Sequence, residues 1–139
     1  MTDKQVVAPD VAAVDFDRLM EAWDVDTEPA GMDADDRAGF EQQRRRIVRK
    51  IISGDATVDS TGDVLTYTLA HPVGDVTELE FKPPKGDAYT SFDQYKEKQG
   101  VHKLNSFMAN MTGKAPKLFS QIDSRDAKFC QAAVALFFG

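Results

Sequence analysis

Val64-Leu65-Thr66-Tyr67-Thr68-Leu69 and Val76-Thr77-Glu78-Leu79-Glu80-Phe81-Lys82 decide the fold class of this chain. Both are rich in β-branched and aromatic residues. The second alternates cleanly, with Val76, Glu78, Glu80 and Lys82 on one side of a strand and Thr77, Leu79 and Phe81 on the other. Pro83-Pro84 ends it, because proline cannot donate to a ladder. Upstream, Thr57-Val58-Asp59 and the turn residues Thr61-Gly62-Asp63 predict a hairpin with Val64–Leu69. The expectation is a small antiparallel sheet over about residues 57–82, with one face in water.

Helical periods flank this region on both sides. Asp15 is expected to cap a short helix from Phe16 to Trp23, with Phe16, Leu19, Met20 and Trp23 on one face. Pro29 and Gly31 mark the loop from Asp24 to Met32. Asp33 is placed to cap a longer helix through Ser53, whose apolar face is Phe40, Ile47, Val48, Ile51 and Ile52. Gly54 is its stop. After the sheet, Thr90 or Ser91 starts a helix that Gly100 breaks, and a second helix runs from Val101 to Met111. Pro116 begins a short turn through Gln121, and the last helix extends from about Ser124 to Phe138. Its two apolar rows are Phe129, Ala133, Phe137 and Cys130, Val134, Phe138. The predicted class is α+β: mostly helical, with the sheet between N-terminal helices and a C-terminal helical region. The predicted organisation is a flexible stretch over residues 1–13, a helical extension over 14–54, and a sheet with C-terminal helices over 55–139.

Composition narrows the function. With 139 residues, 42% of them hydrophobic, the chain can bury one modest core. No run approaches the ~18 apolar residues of a membrane span. The first residues lack the charged and apolar regions of a secretory signal. Cys130 is the single cysteine, which excludes an intrachain disulfide and a thiolate zinc cage and points to a reducing compartment. The net charge of -6 is uneven. Residues 1–41 hold twelve acidic against three basic side chains, whereas Arg44, Arg45, Arg46, Arg49 and Lys50 crowd into one helical stretch. The overall sign argues against general binding to a phosphate backbone.

Candidate chemistry is thin. His71 and His102 have no spacing suited to a metal or to acid–base work. Asp24 and Asp26 resemble the start of a calcium loop, but Pro29 stands where such a loop needs glycine. The glycines form neither a dinucleotide fingerprint nor a phosphate loop. No catalytic, cofactor-binding or metal-ligating residue is expected, and the chain is read as a non-enzyme without cofactors. The Phe and Met stripe carries more weight. Phe107, Met108, Met111, Leu118, Phe119, Phe129, Phe137 and Phe138 are expected to include both core and a surface for an apolar partner helix.

The stretch from Val73 to Phe138 resembles the tail assembly chaperones of tailed bacteriophages, most of all the Mu-like type. The resemblance lies in the strand Val76–Phe81, the Pro and Gly86-Asp87 after it, and the helix ending Met108-Ala109-Asn110-Met111-Thr112-Gly113. It continues through Leu118, Ile122-Asp123, Asp126 and the closing Ala-Val-Ala-Leu-Phe-Phe. Lys82 stands where the family often has arginine, and the first 72 or so residues fall outside the match. The resemblance implies a non-catalytic factor that binds the tape measure protein, keeps it soluble and helps tail tube protein polymerise around it. It implies action in the host cell cytoplasm and absence from the mature virion. Self-association fits this picture, and a membrane or nucleic-acid partner does not. The competing expectation is a structural tail or baseplate component.

Overall fold

A computed structural model describes residues 6–25, 34–83 and 100–136, without the side chains of 36 and 100–104. The expected cap at Asp33, the helix from Thr90 or Ser91, and Phe137 and Phe138 lie outside the described residues, as does the side chain of His102. Two helices come first, α1 (Pro9–Ala22) and α2 (Ala34–Ser53). The strands β1 (Ala56–Val58), β2 (Leu65–Val73) and β3 (Val76–Phe81) follow. Three helices close the described chain: α3 (Gly100–Thr112), α4 (Pro116–Gln121) and α5 (Ser124–Ala135). The fold is α+β and mostly helical, with a three-stranded antiparallel sheet in the order β1-β2-β3.

The sheet has one buried and one wet face. Ala56, Leu65, Tyr67, Leu69, Leu79 and Phe81 are buried, and Thr57, Thr68, Glu78 and Glu80 are exposed. The helices lie on the buried side, where α5 packs on β2, α3 on β3, and α1 and α2 on β1. α2 also packs along α5 and α1. Each large apolar side chain taken fully from water here contributes about 1.5–3 kcal/mol.

α1 begins at Pro9, not at Phe16. Pro9 sits in the first turn, where its fixed φ suits a helix and its missing N–H costs nothing. Asp15 is therefore inside the helix, bonded to Arg18 at 3.0 Å, and is not a cap. Part of the stretch expected to be flexible is thus helical, and the N–H groups of Val6 and Val7 donate to the carbonyl of Ile52. The far end of α1 closes on Asp24, at φ 55. Asp24 N–H donates to the Glu21 carbonyl and Val25 N–H to the Met20 carbonyl, the pairing of a Schellman motif.

β2 is longer than expected and runs past Pro72. Leu65, Thr66, Tyr67 and Thr68 face Phe81, Glu80, Leu79 and Glu78, and the register then slips before Val73 meets Val76. The ladder is irregular between Thr68 and Val73, and Pro72 is tolerated because it lies in this part of the strand. Thr77, expected on the apolar face, is exposed in the same irregular region.

The turn between β1 and β2 is built around Asp59. Its carboxylate accepts from Val64 N–H at 3.2 Å and Thr61 Oγ1 at 2.9 Å. These bonds, led by Val64, hold its pKa below the usual carboxylate value. Against this turn α1 lays Trp23, whose Nε1 donates to the Asp63 carbonyl at 2.7 Å, and Arg18, which donates to the Ser60 carbonyl. Gly62, at φ +82, faces α1 so closely that a Cβ would stand 3.1 Å from the Arg18 carbonyl oxygen.

Gly62→Ala should therefore destabilise more than Gly74→Ala. Both glycines have positive φ, which costs an L residue about 1–2 kcal/mol, but a Cβ at Gly74 meets nothing within 4 Å. Urea denaturation of the two variants measures the difference; equal losses would mean that the α1 contact has no weight.

Candidate functional site

Asp126 is the most unusual residue in the described chain. It stands in the first turn of α5, where a carboxylate favours the helix dipole, yet it is completely buried. Oδ1 accepts from the Tyr67 hydroxyl at 2.7 Å and from Ala70 N–H at 3.0 Å. Oδ2 accepts from His71 N–H at 2.9 Å. In a regular strand, successive N–H groups point to opposite edges. Ala70 and His71 lie where the β2–β3 register shifts, and there two consecutive N–H groups converge on one carboxylate.

The apolar side of this junction is aromatic. Tyr67 stacks on Phe129 with ring centroids 4.0 Å apart, and Phe81 meets Phe129 edge-on at 6.1 Å. Burial, and then the bond to Asp126, push the Tyr67 phenol above its ordinary value of 10.0. Cys130, on the next position of α5, is buried, and desolvation with the nearby Asp126 charge pushes its thiol up to about 12. The helix is capped by Asp123, which accepts from Arg125 N–H at 2.9 Å and is held in a two-pronged pair by the Arg125 guanidinium. These bonds to Arg125 keep the Asp123 carboxyl well below the usual carboxylate range.

The Phe and Met stripe goes largely inward. Phe107 is 0% exposed, Met111 1%, Met108 3%, Phe129 3% and Phe119 6%. They form one core with the sheet face and the inner sides of α1 and α2. Leu118, on α4, is half-buried and reaches the surface. Sequence reasoning did not single out Tyr67 and Asp126 as partners, because they are 59 positions apart. The exposed large apolar side chains Val6, Val11 and Val14 were not read as surface either.

Two open clefts lie on the described surface. One, of about 360 Å³, is lined by Arg18, Glu21, Ala22, Ser60 and Thr61. The other, of about 270 Å³, is lined by Glu78, Glu80, Lys82, Thr112 and Lys114. Both walls are polar and of mixed charge, unlike the mainly apolar walls that hold a small molecule. Among the described residues, no three of His, Cys, Asp and Glu gather in a way that could hold a metal ion. No helix there is long and apolar enough to cross a membrane. Compared with protein-family models, curated proteins and solved structures, the chain matches none.

Asp126→Ala should cost about 3–5 kcal/mol, since it leaves a buried hydroxyl and two N–H groups without their acceptor. Tyr67→Phe keeps the ring stack and should cost about 1–2 kcal/mol. The raised phenol pKa sets a sign: the neutral Tyr67 supports the fold below pH about 10, and that support is lost as pH rises through the folded pKa. Denaturation at rising pH should show a steeper alkaline loss in the parent chain than in Tyr67→Phe. Alkylation of Cys130 at neutral pH should be negligible in the native chain and rapid in urea; fast native modification would show that α5 opens readily.

Proposed function

We propose that this chain is a tail assembly chaperone of a tailed bacteriophage. In this reading it binds the tape measure protein in the host cell cytoplasm, keeps it soluble while tail tube protein assembles, and is left out of the virion. The observation that carries the proposal is the way the resembling stretch folds. β3, the end of α3, α4 and α5 are the elements on which the resemblance rests, and they pack into one body with β2. The Lys82 N–H donates to the Met111 carbonyl at 3.0 Å, which joins the strand end to the helix end. The Asp126 of the resemblance is the residue that fastens α5 to β2.

A chaperone for a long apolar helix needs cover that is reversible. A partner would meet the side chains that reach the surface, with the buried Phe and Met residues supporting them from beneath. Leu118 is the member of the stripe placed to make that contact among the described residues. Adaptable contacts of this kind can be displaced when tube subunits arrive.

Co-expression with a phage tape measure protein tests the reading. The partner should stay soluble and co-purify with the chain, and purified virions should lack the chain. A partner that neither binds nor gains solubility sinks the proposal, and stoichiometric chain in virions would make it a structural component. Within a positive result, Leu118→Ala should weaken capture about tenfold, a larger effect than its modest loss of melting temperature explains. Phe107→Ala should instead cost about 3–5 kcal/mol of stability.

A further inference from the structure

Among the described residues, α2 carries basic side chains that no ion pair engages. Ile47 and Ile51 point into the core, with Phe40, Val48 and Ile52 beside them. The outward side presents Arg45 and Arg49, both exposed, and Arg46 and Lys50, both half-buried. The pairs are spaced four residues apart, so they form two parallel rows, one helical turn per step. Among the described residues, the ion pairs are Arg18 with Asp15 and Arg125 with Asp123, and neither involves these rows. Even Glu41, four residues before Arg45 on the same side, makes no such pair with it. Arg44, at the edge toward α1, is occupied differently, with its guanidinium 5.6 Å above the Phe16 ring.

We propose that these two rows are a docking surface for an acidic helix of a partner protein. A helix with carboxylates at i and i+4 presents the same turn-by-turn spacing and can match both rows at once. A duplex nucleic acid is the poorer fit. The chain is net -6, and the neighbouring α1 exposes Asp10, Asp17 and Glu21, which would repel an extended polyanion. A helix is short and narrow enough to lie on the basic rows alone. The surface would take such a helix whether or not the chain serves phage assembly.

The test is fluorescence anisotropy with a labelled helical peptide bearing glutamates at i and i+4, beside a duplex DNA of equal charge. The peptide should bind the full chain at about 50 mM salt and weaken about tenfold or more by about 200 mM. Arg45→Glu with Arg49→Glu should abolish binding while circular dichroism and melting stay unchanged. Arg45→Gln with Arg49→Gln should weaken it and serves if the reversal disturbs folding. Absence of peptide binding at low salt overturns the proposal, as does binding unaffected by either double variant. Tighter binding of the DNA overturns it in favour of a nucleic-acid partner.

Discussion

A buried carboxylate organises this protein. Taking Asp126 out of water costs several kcal/mol, and only a full set of donors offsets that cost. The donors come from a strand and not from the helix that carries the residue, so the bonds fasten two elements together. They also fix the local shape of β2, because its irregular path must persist for Ala70 and His71 to donate together. Phe129 follows three positions later on α5, on the same side of the helix, and brings its ring onto Tyr67. Polar and apolar contacts thus specify the same docking of α5, and the packing of α2 and α3 follows from where α5 lies.

The N-terminal layer is attached by another means. Trp23, Arg18, Val6 and Val7 all donate to backbone carbonyls, of Asp63, Ser60 and Ile52. Such seams depend on the path of the main chain more than on the partner's side chain. They make the shape of the turn around Gly62 and the end of α2 the features that α1 reads. The aromatic contact of Phe16 with Phe40, at 6.2 Å, completes the layer.

Local period made much of this legible. The alternation in Val76–Phe81 and the apolar faces of α1 and α2 each follow from residues a few positions apart, and the structure turns the sides they indicate inward, with Thr77 the exception. What stayed hidden is non-local. The expected strand stops at Leu69, since nothing near His71 and Pro72 shows that a distant carboxylate awaits two N–H groups there. Nothing in the sequence around Asp126 marks it as buried, because burial of a charge has no local signature. Asp15 is a good cap by residue type, yet the helix starts earlier, at Pro9. For the candidate surface, spacing identified an apolar stripe but could not divide core from exterior. That division depends on where the sheet lies, and it sends Phe107, Met108 and Met111 inward and leaves Leu118 partly outside.

The separation of Tyr67 from Asp126 also has a consequence for synthesis. The sheet is complete in sequence by Phe81, whereas the helix that covers Tyr67 comes at Ser124–Ala135. Contacts that close so long a loop form late, since their entropy must be spent before they reward it. During translation, the inner face of β2 and β3 therefore spends an interval without its α5 cover. Exposed aromatic strands in that state favour association with other chains. The chaperone role proposed above would thus fall to a chain that itself passes through a stage with the same exposure.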